Sequence, residues 1–145
     1  MVIRDIVAAL GSLMVQEAVG LGPAIGGMIA RGLAGKRLEL IRGLVLSNTA
    51  AKIGNTDHWQ DQIDTYRAHG LSNSADSILQ KWFSRDYGMF NQTHIFRQMV
   101  LSTSVEGYLG CCHAIKCTDF YTPTRGLRLP TAGIVGPEDQ GTTSD

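Results

Sequence analysis

The residues with most bearing on chemistry lie in one turn, Gly22-Pro23-Ala24-Ile25-Gly26-Gly27, set between an apolar segment and a helical one. Three chemistries use a glycine-rich turn at such a junction. A dinucleotide-binding turn needs G-x-G-x-x-G; counted from Gly20 and Gly22, Ile25 stands where the third glycine belongs. A phosphate-binding loop needs G-x-x-x-x-G-K-[ST], and here Gly22 to Gly27 is followed by Met28. The third is the nucleophile elbow, G-x-S-x-G, a strained turn that lifts a serine above a sheet to attack a carbonyl. Gly22-Pro23-Ala24-Ile25-Gly26 fits that frame, and Gly27 would let the helix pack closely. The nucleophile position holds Ala24, however, which carries no oxygen. Spacing alone leaves a second reading open, in which the glycines merely allow a strand and a helix to pack tightly.

Other chemistry-bearing residues are sparse. Cys111-Cys112-His113 invites a metal reading, but adjacent residues on a helix point to different sides and no second ligand pair follows. No metal and no cofactor is expected, and the thiols read as buried small hydrophobes. Three clustered cysteines, two of them neighbours, make no disulfide framework and fit a reducing, cytoplasmic setting. His58, His69, His94 and His113 all fall in segments of helical pattern and read as surface or packing residues.

The elements that must position the turn follow from hydrophobic spacing. Ile3, Ile6, Val7, Leu10, Leu13 and Met14 recur at helical intervals, predicting a helix over 2–14. Gln16 to Leu21 reads as a short strand, and Ile25, Met28, Ile29 and Leu33 as a helix ending near Gly35. Gly43 to Asn48 is a second apolar strand. From Asp57 the pattern turns helical: Asp57 with Gln60 resembles a capping box, Trp59, Ile63 and Tyr66 share a face, and Gly70 stands where a helix would stop. Helices are also expected around Ala75–Phe83, Ile95–Val100 and Val105–Cys112, and a last strand over Arg128–Val135. Buried, non-alternating strands between helices predict a parallel sheet, and four consecutive helices read as a cap inserted into it. The expected division is 1–54 for the turn-bearing core, 55–122 for the helical cap and 123–145 for the last strand and the loop beyond it.

Composition narrows the class of ligand. The 145 residues carry 13 basic and 13 acidic side chains, so the basic excess of nucleic-acid and acidic-membrane binders is missing. The longest charge-free apolar run, Ala18 to Ala30, is 13 residues, short of the ~20 that span a bilayer. Glycine is in surplus at 17 residues, eight of them between Gly11 and Gly43, against a usual share of about 7%.

Longer stretches add a family resemblance. Val19 to Met28 and then Arg42-Gly43-Leu44-Val45-Leu46-Ser47-Asn48-Thr49-Ala50-Ala51-Lys52-Ile53-Gly54 resemble the elbow and following strand of the 3-oxoadipate enol-lactone hydrolases. The similarity continues through Lys81-Trp82-Phe83, Glu106-Gly107-Tyr108 with Cys111-Cys112, and Asp119-Phe120-Tyr121-Thr122-Pro123. It closes on Leu129-Pro130-Thr131 and Gly136-Pro137-Glu138-Asp139, in the family's order along almost the whole chain.

The resemblance implies a partial α/β-hydrolase fold: three parallel strands, flanking helices and a four-helix cap. It implies hydrolysis of a lactone in aromatic-acid catabolism through a Ser-His-Asp triad. The family's serine maps onto Ala24 and its acid onto Asp139, which otherwise reads as a solvated turn residue. The backbone N–H of Ile25 would supply half of an oxyanion hole. Trp82 would line the substrate pocket, or else pack between helices. The catalytic histidine should follow the acid, and no histidine follows Asp139 in these 145 residues. The resemblance thus implies the interior of a longer hydrolase, without turnover as this chain. Its ligand would be a small lactone or dicarboxylate, with neither nucleic acid nor membrane as partner. The alternative is a non-catalytic protein that binds a ligand or a partner. An uncovered strand at Gln16–Leu21 would favour self-association through an open sheet edge.

Overall fold

The computed structural model describes residues 2–89, 93–139 and 141–142. Two compact units emerge. The first comprises residues up to Lys52 together with Asp119–Val135, and the second Ile53–Thr118 with the segment from Gly136.

The first unit is a three-stranded parallel sheet with helices. In chain order its elements are α1 (Val2–Ser12), β1 (Ala18–Pro23), α2 (Ile25–Lys36) and β2 (Ile41–Ser47). After the helices of the second unit come α8 (Tyr121–Arg125) and β3 (Thr131–Ile134). The sheet order is β1-β2-β3, with both pairs parallel. The expected helix over 2–14 stops at Ser12 because Met14 turns left-handed at φ 54°, and the N–H of Val15 reaches back to the carbonyl of Leu10. The first strand lies two residues beyond its expected place, running up to Pro23. Its register explains why: Ala18 pairs with Ile41 and Pro23 with Ser47, so it tracks β2 to the end.

One face of this sheet is covered. Gly20 and Gly22 of β1 pair with Leu44 and Leu46 of β2, and α2 packs over them; a Cβ on Gly20 would lie 3.2 Å from that of Ala30. Ala30, Leu33, Ala34, Leu40, Ile41, Leu44 and Leu46 form the core there. The α1 residues Ile3, Ile6, Val7 and Leu10 pack against it as half-buried side chains. Because strand side chains alternate, Val19, Leu21, Val45, Ala132 and Ile134 point to the opposite face. Val19 is 63% exposed, Leu21 72% and Ile134 58%.

The second unit is helical among the described residues. Its elements are α3 (Thr56–His69), α4 (Ala75–Trp82), α5 (Arg85–Met89), α6 (His94–Ser102) and α7 (Val105–Lys116). The four expected helices are present, and the short α5 joins them. The start of α3 differs from the capping box expected at Asp57. Asn55 is the cap, its Oδ1 accepting the N–H of His58 at 2.8 Å. Asn55 lies in the polar loop, one residue before the helix begins, where a capping side chain reaches the unbonded amides of the first turn. The helix ends at Gly70, which takes φ 73°. Ile63, Tyr66, Leu71, Ala75, Ile78, Leu79, Val100, Leu109 and Cys112 make this unit's own core. Tyr66 meets Tyr108 edge-on with ring centroids 5.3 Å apart. All four histidines lie on these helices and are exposed. Among the described residues no helix is long and apolar enough to cross a membrane.

The three thiols are free, but only Cys112 is buried, and burial pushes its pKa up to about 11. Since the thiolate is the reactive form, alkylation at pH 8 is expected to label Cys111 and Cys117 first. Cys112 should react more than ~10-fold slower until urea removes the difference. Peptide mass mapping over a time course measures this.

Candidate functional site

The turn between β1 and α2 has the geometry of a nucleophile elbow. Ala24 takes φ 45° and ψ −119°, a left-handed conformation in which a residue bearing a Cβ is strained by roughly 1–3 kcal/mol. The end of β2 holds it there. The N–H of Ala24 is shared between the carbonyls of Ser47 and Asn48, each at 3.1 Å. The Ala24 carbonyl accepts the Thr49 hydroxyl at 2.6 Å, together with the N–H groups of Gly27 at 3.1 Å and Met28 at 3.3 Å. Asn48 itself is left-handed at φ 44°, and its Oδ1 accepts the Ser47 hydroxyl at 3.0 Å.

Two glycines make room for the turn. A Cβ on Gly22 would fall 2.3 Å from the carbonyl carbon of Gly26, and one on Gly27 would fall 2.4 Å from the Thr49 methyl. Both distances are far inside van der Waals contact: a side chain at position 22 would need backbone movement, and one at position 27 would displace the Thr49 side chain. The glycines do permit close packing, and what they permit is a sharp elbow at residue 24.

Ile25 opens α2, so its N–H is one of the first-turn amides with no carbonyl of the helix to bond. Ala24 and Ile25 therefore stand together at the carboxyl end of β1. The side chain at position 24 is a methyl group, and no proton or nucleophile is available from it.

Asp139 belongs to the second unit. Its N–H donates to the carbonyl of Gly136 at 3.1 Å, closing the Gly136-Pro137-Glu138-Asp139 turn. Its Oδ1 accepts the N–H groups of Gly141 at 2.8 Å and Thr142 at 3.1 Å, and its Oδ2 accepts the Thr142 hydroxyl at 2.5 Å. The carboxylate is thus fixed by the loop that follows it. Trp82, the last residue of α4, is 53% exposed. Its neighbour Phe83 provides the aromatic packing instead, with ring centroids 5.0 Å from Tyr87 and 4.7 Å from Phe96. No cluster of metal-ligating side chains exists among the described residues.

Thr49 and Asn48 hold the turn through hydrogen bonds to Ala24, a part that residue-type reasoning left unassigned. The register carried a signal for them: Pro23 pairs with Ser47, so the polar run after β2 must lie beside the elbow. A concavity of about 420 Å³ lies on the sheet, lined by Val19, Arg42, Gly43, Val45, Pro130 and Ala132 among others. Ala24 is not among its lining residues; Val19 lies five residues before it on β1.

Stability measurements separate this elbow from ordinary glycine use. Gly22→Ala is expected to cost about 3 kcal/mol, because backbone atoms rather than a flexible side chain stand in the way. Gly110→Ala, on α7 with open space around it, is expected to stabilise by about 0.5–1 kcal/mol. Urea unfolding of the two variants tests both signs.

No family model matches the sequence. Comparison with curated proteins finds 3-oxoadipate enol-lactonase 2 of Acinetobacter baylyi, 29% identical over 142 residues that cover 96% of this chain and 53% of the relative. The same organism's 3-oxoadipate enol-lactonase 1 is 28% identical over 142 residues, again covering 53% of the relative. Among solved structures, the enol-lactonase from Burkholderia xenovorans superposes with a TM-score of 0.88 at 28% identity, covering 98% of this chain and 55% of that one. The chain spans about half the length of the relatives it matches. Over that half it has the α/β-hydrolase fold, and it is similar to the 3-oxoadipate enol-lactonases.

Proposed function

We propose that this chain is an enol-lactonase-like α/β-hydrolase segment that does not hydrolyse its lactone. Ala24 carries this reading: the elbow stands in the strained conformation of a nucleophile turn, and the residue at its apex has no oxygen. In a Ser-His-Asp hydrolase the serine attacks the lactone carbonyl, the histidine takes its proton, and the acid orients the histidine. Here Asp139 is the acid, Ile25 N–H is one oxyanion donor and Trp82 is a pocket residue. The attacking oxygen is missing at position 24. Loss of the nucleophile alone typically lowers kcat by ~10⁶, enough to remove detectable turnover. The substrate class is a small enol-lactone related to 3-oxoadipate, as in aromatic-acid breakdown. A reducing cytoplasm suits the free, exposed thiols of Cys111 and Cys117.

A second reading keeps binding without chemistry. It is favoured by the persistence of the elbow, whose leading helix amide still suits a carboxylate or lactone carbonyl.

Incubation of the purified chain with the 3-oxoadipate enol-lactone is expected to give hydrolysis no faster than buffer and no acylated protein by intact mass. Turnover above the blank would overturn the first reading. Calorimetric titration with the lactone and with small dicarboxylates tests the second, for which binding at millimolar ligand is expected.

A further inference from the structure

Arg31, midway along α2, is the one charged side chain buried among the described residues, at 9% exposure. Its Nε and Nη1 are shut off from solvent and meet no hydrogen-bond acceptor. The acidic side chains of its unit are engaged elsewhere or face solvent. Glu17 pairs with Arg42 at 2.6 Å, Asp119 with Lys52 at 3.4 Å and Glu39 with Arg37, while Asp5 is exposed on α1. A second buried polar atom without a partner is the Oγ1 of Thr124, on α8, which packs against α2. A Cβ on Gly32, next to Arg31, would fall 2.8 Å from the ring of Phe120, the residue before α8. One on Gly35, a turn beyond Arg31 on the same side of α2, would lie 4.0 Å from the Cβ of Pro123. The segment of α8 that meets α2 around Arg31 is thus the one that carries Thr124, and at the exposed Gly35 the contact opens to solvent.

A buried cation with no counter-charge is costly. Burial lowers the guanidinium's pKa from its ordinary value, yet an arginine does not shed its proton in a protein. The charge is therefore met by an anion. A single positive charge calls for a monoanion, since a dianion would leave one charge buried in excess. Coplanar guanidinium N–H groups beside a hydroxyl suit the planar, two-oxygen face of a carboxylate, and a flat ion fits between packed helices better than a tetrahedral one. We infer that Arg31 and Thr124 form a binding site for a small carboxylate between α2 and α8. Arg31 supplies the charge and the N–H donors, and the Thr124 hydroxyl adds a further donor. The site lies ~9 Å along α2 from Ile25 and does not depend on whether the elbow holds a ligand.

The test uses formate as the probe. The 145-residue chain is heated at rising formate concentration, with ionic strength held constant by a sulfonate too bulky to enter between the helices. The unfolding midpoint is expected to rise saturably by at least ~3 °C, and the formate proton resonance to broaden when the folded protein is added. Arg31→Met replaces the charge by an apolar chain of similar length and is expected to abolish both effects. It leaves Ala24 and Ile25 untouched, so a carboxylate held at the elbow would still bind this variant. Thr124→Val removes a hydroxyl that bonds nothing in the free protein, so it should fold even where Arg31→Met does not. It is expected to weaken formate binding at least ~5-fold. Chloride at the same concentration is expected to raise the midpoint less than formate does. Four results would overturn the inference: a midpoint indifferent to formate, a formate response that persists in Arg31→Met, unchanged affinity in Thr124→Val, or an equal response to chloride.

Discussion

The first unit hangs on the ties between residue 24 and the end of β2. One amide shared between two carbonyls and one threonine hydroxyl on the Ala24 carbonyl hold a backbone that would otherwise relax. The consequences run outward from there. Because the turn is this sharp, α2 starts directly above β1, and glycine is required at positions 22 and 27, where the helix backbone and Thr49 press in. Because α2 lies so close, Gly20 meets Ala30 across a gap that only small residues fill. Of the glycines in the first half, Gly20, Gly22 and Gly27 belong to that one close approach, while Gly32 makes room for Ile3 and Phe120.

How far the sequence disclosed this depended on the kind of signal each feature carries. Helices with a clean apolar face, such as α4 with Ala75, Ile78 and Leu79, were legible from spacing because burial has the helical period. So was the stop at Gly70, which needs a left-handed backbone. Strand ends were less so, since they depend on pairing with a distant segment: β3 shrinks to Thr131–Ile134 because only those residues find partners on β2. The cap of α3 was misplaced for a related reason. Asp57 and Asn55 are both good capping residues, and sequence alone does not say which one points back at the first-turn amides. The short α5 and α8, five residues each, lack the length in which periodicity can be recognised. Of the candidate site, the frame at 22–27 was visible as a pattern of glycines. The clamp by Ser47, Asn48 and Thr49 was not, because it exists only once β1 and β2 are in register.

The two units differ in how complete they are as packing solutions. The helical unit encloses its own core, with Ile63 and Ala75 fully buried and Tyr66, Ile78 and Leu109 nearly so. The sheet unit encloses one face only, and its outermost strand β3 is exposed at every residue. A domain that buries all its apolar surface needs no partner, whereas a parallel sheet with a bare face has apolar area still to remove from water.

Alanine at the apex separates two properties that a working elbow combines. Serine and alanine share a Cβ, so the left-handed backbone at position 24 strains both alike, and replacing one by the other relieves nothing. The conformation therefore stands with alanine at its apex. It is imposed by neighbours: the carbonyls of Ser47 and Asn48, the Thr49 hydroxyl, and the glycines at 22 and 27, none of which depends on the identity of residue 24. In this fold the scaffold dictates where the nucleophile would stand, and the single side chain there decides whether any chemistry follows. With only a methyl group at position 24, the fold, the helix amide at Ile25 and the cost of the turn remain in place.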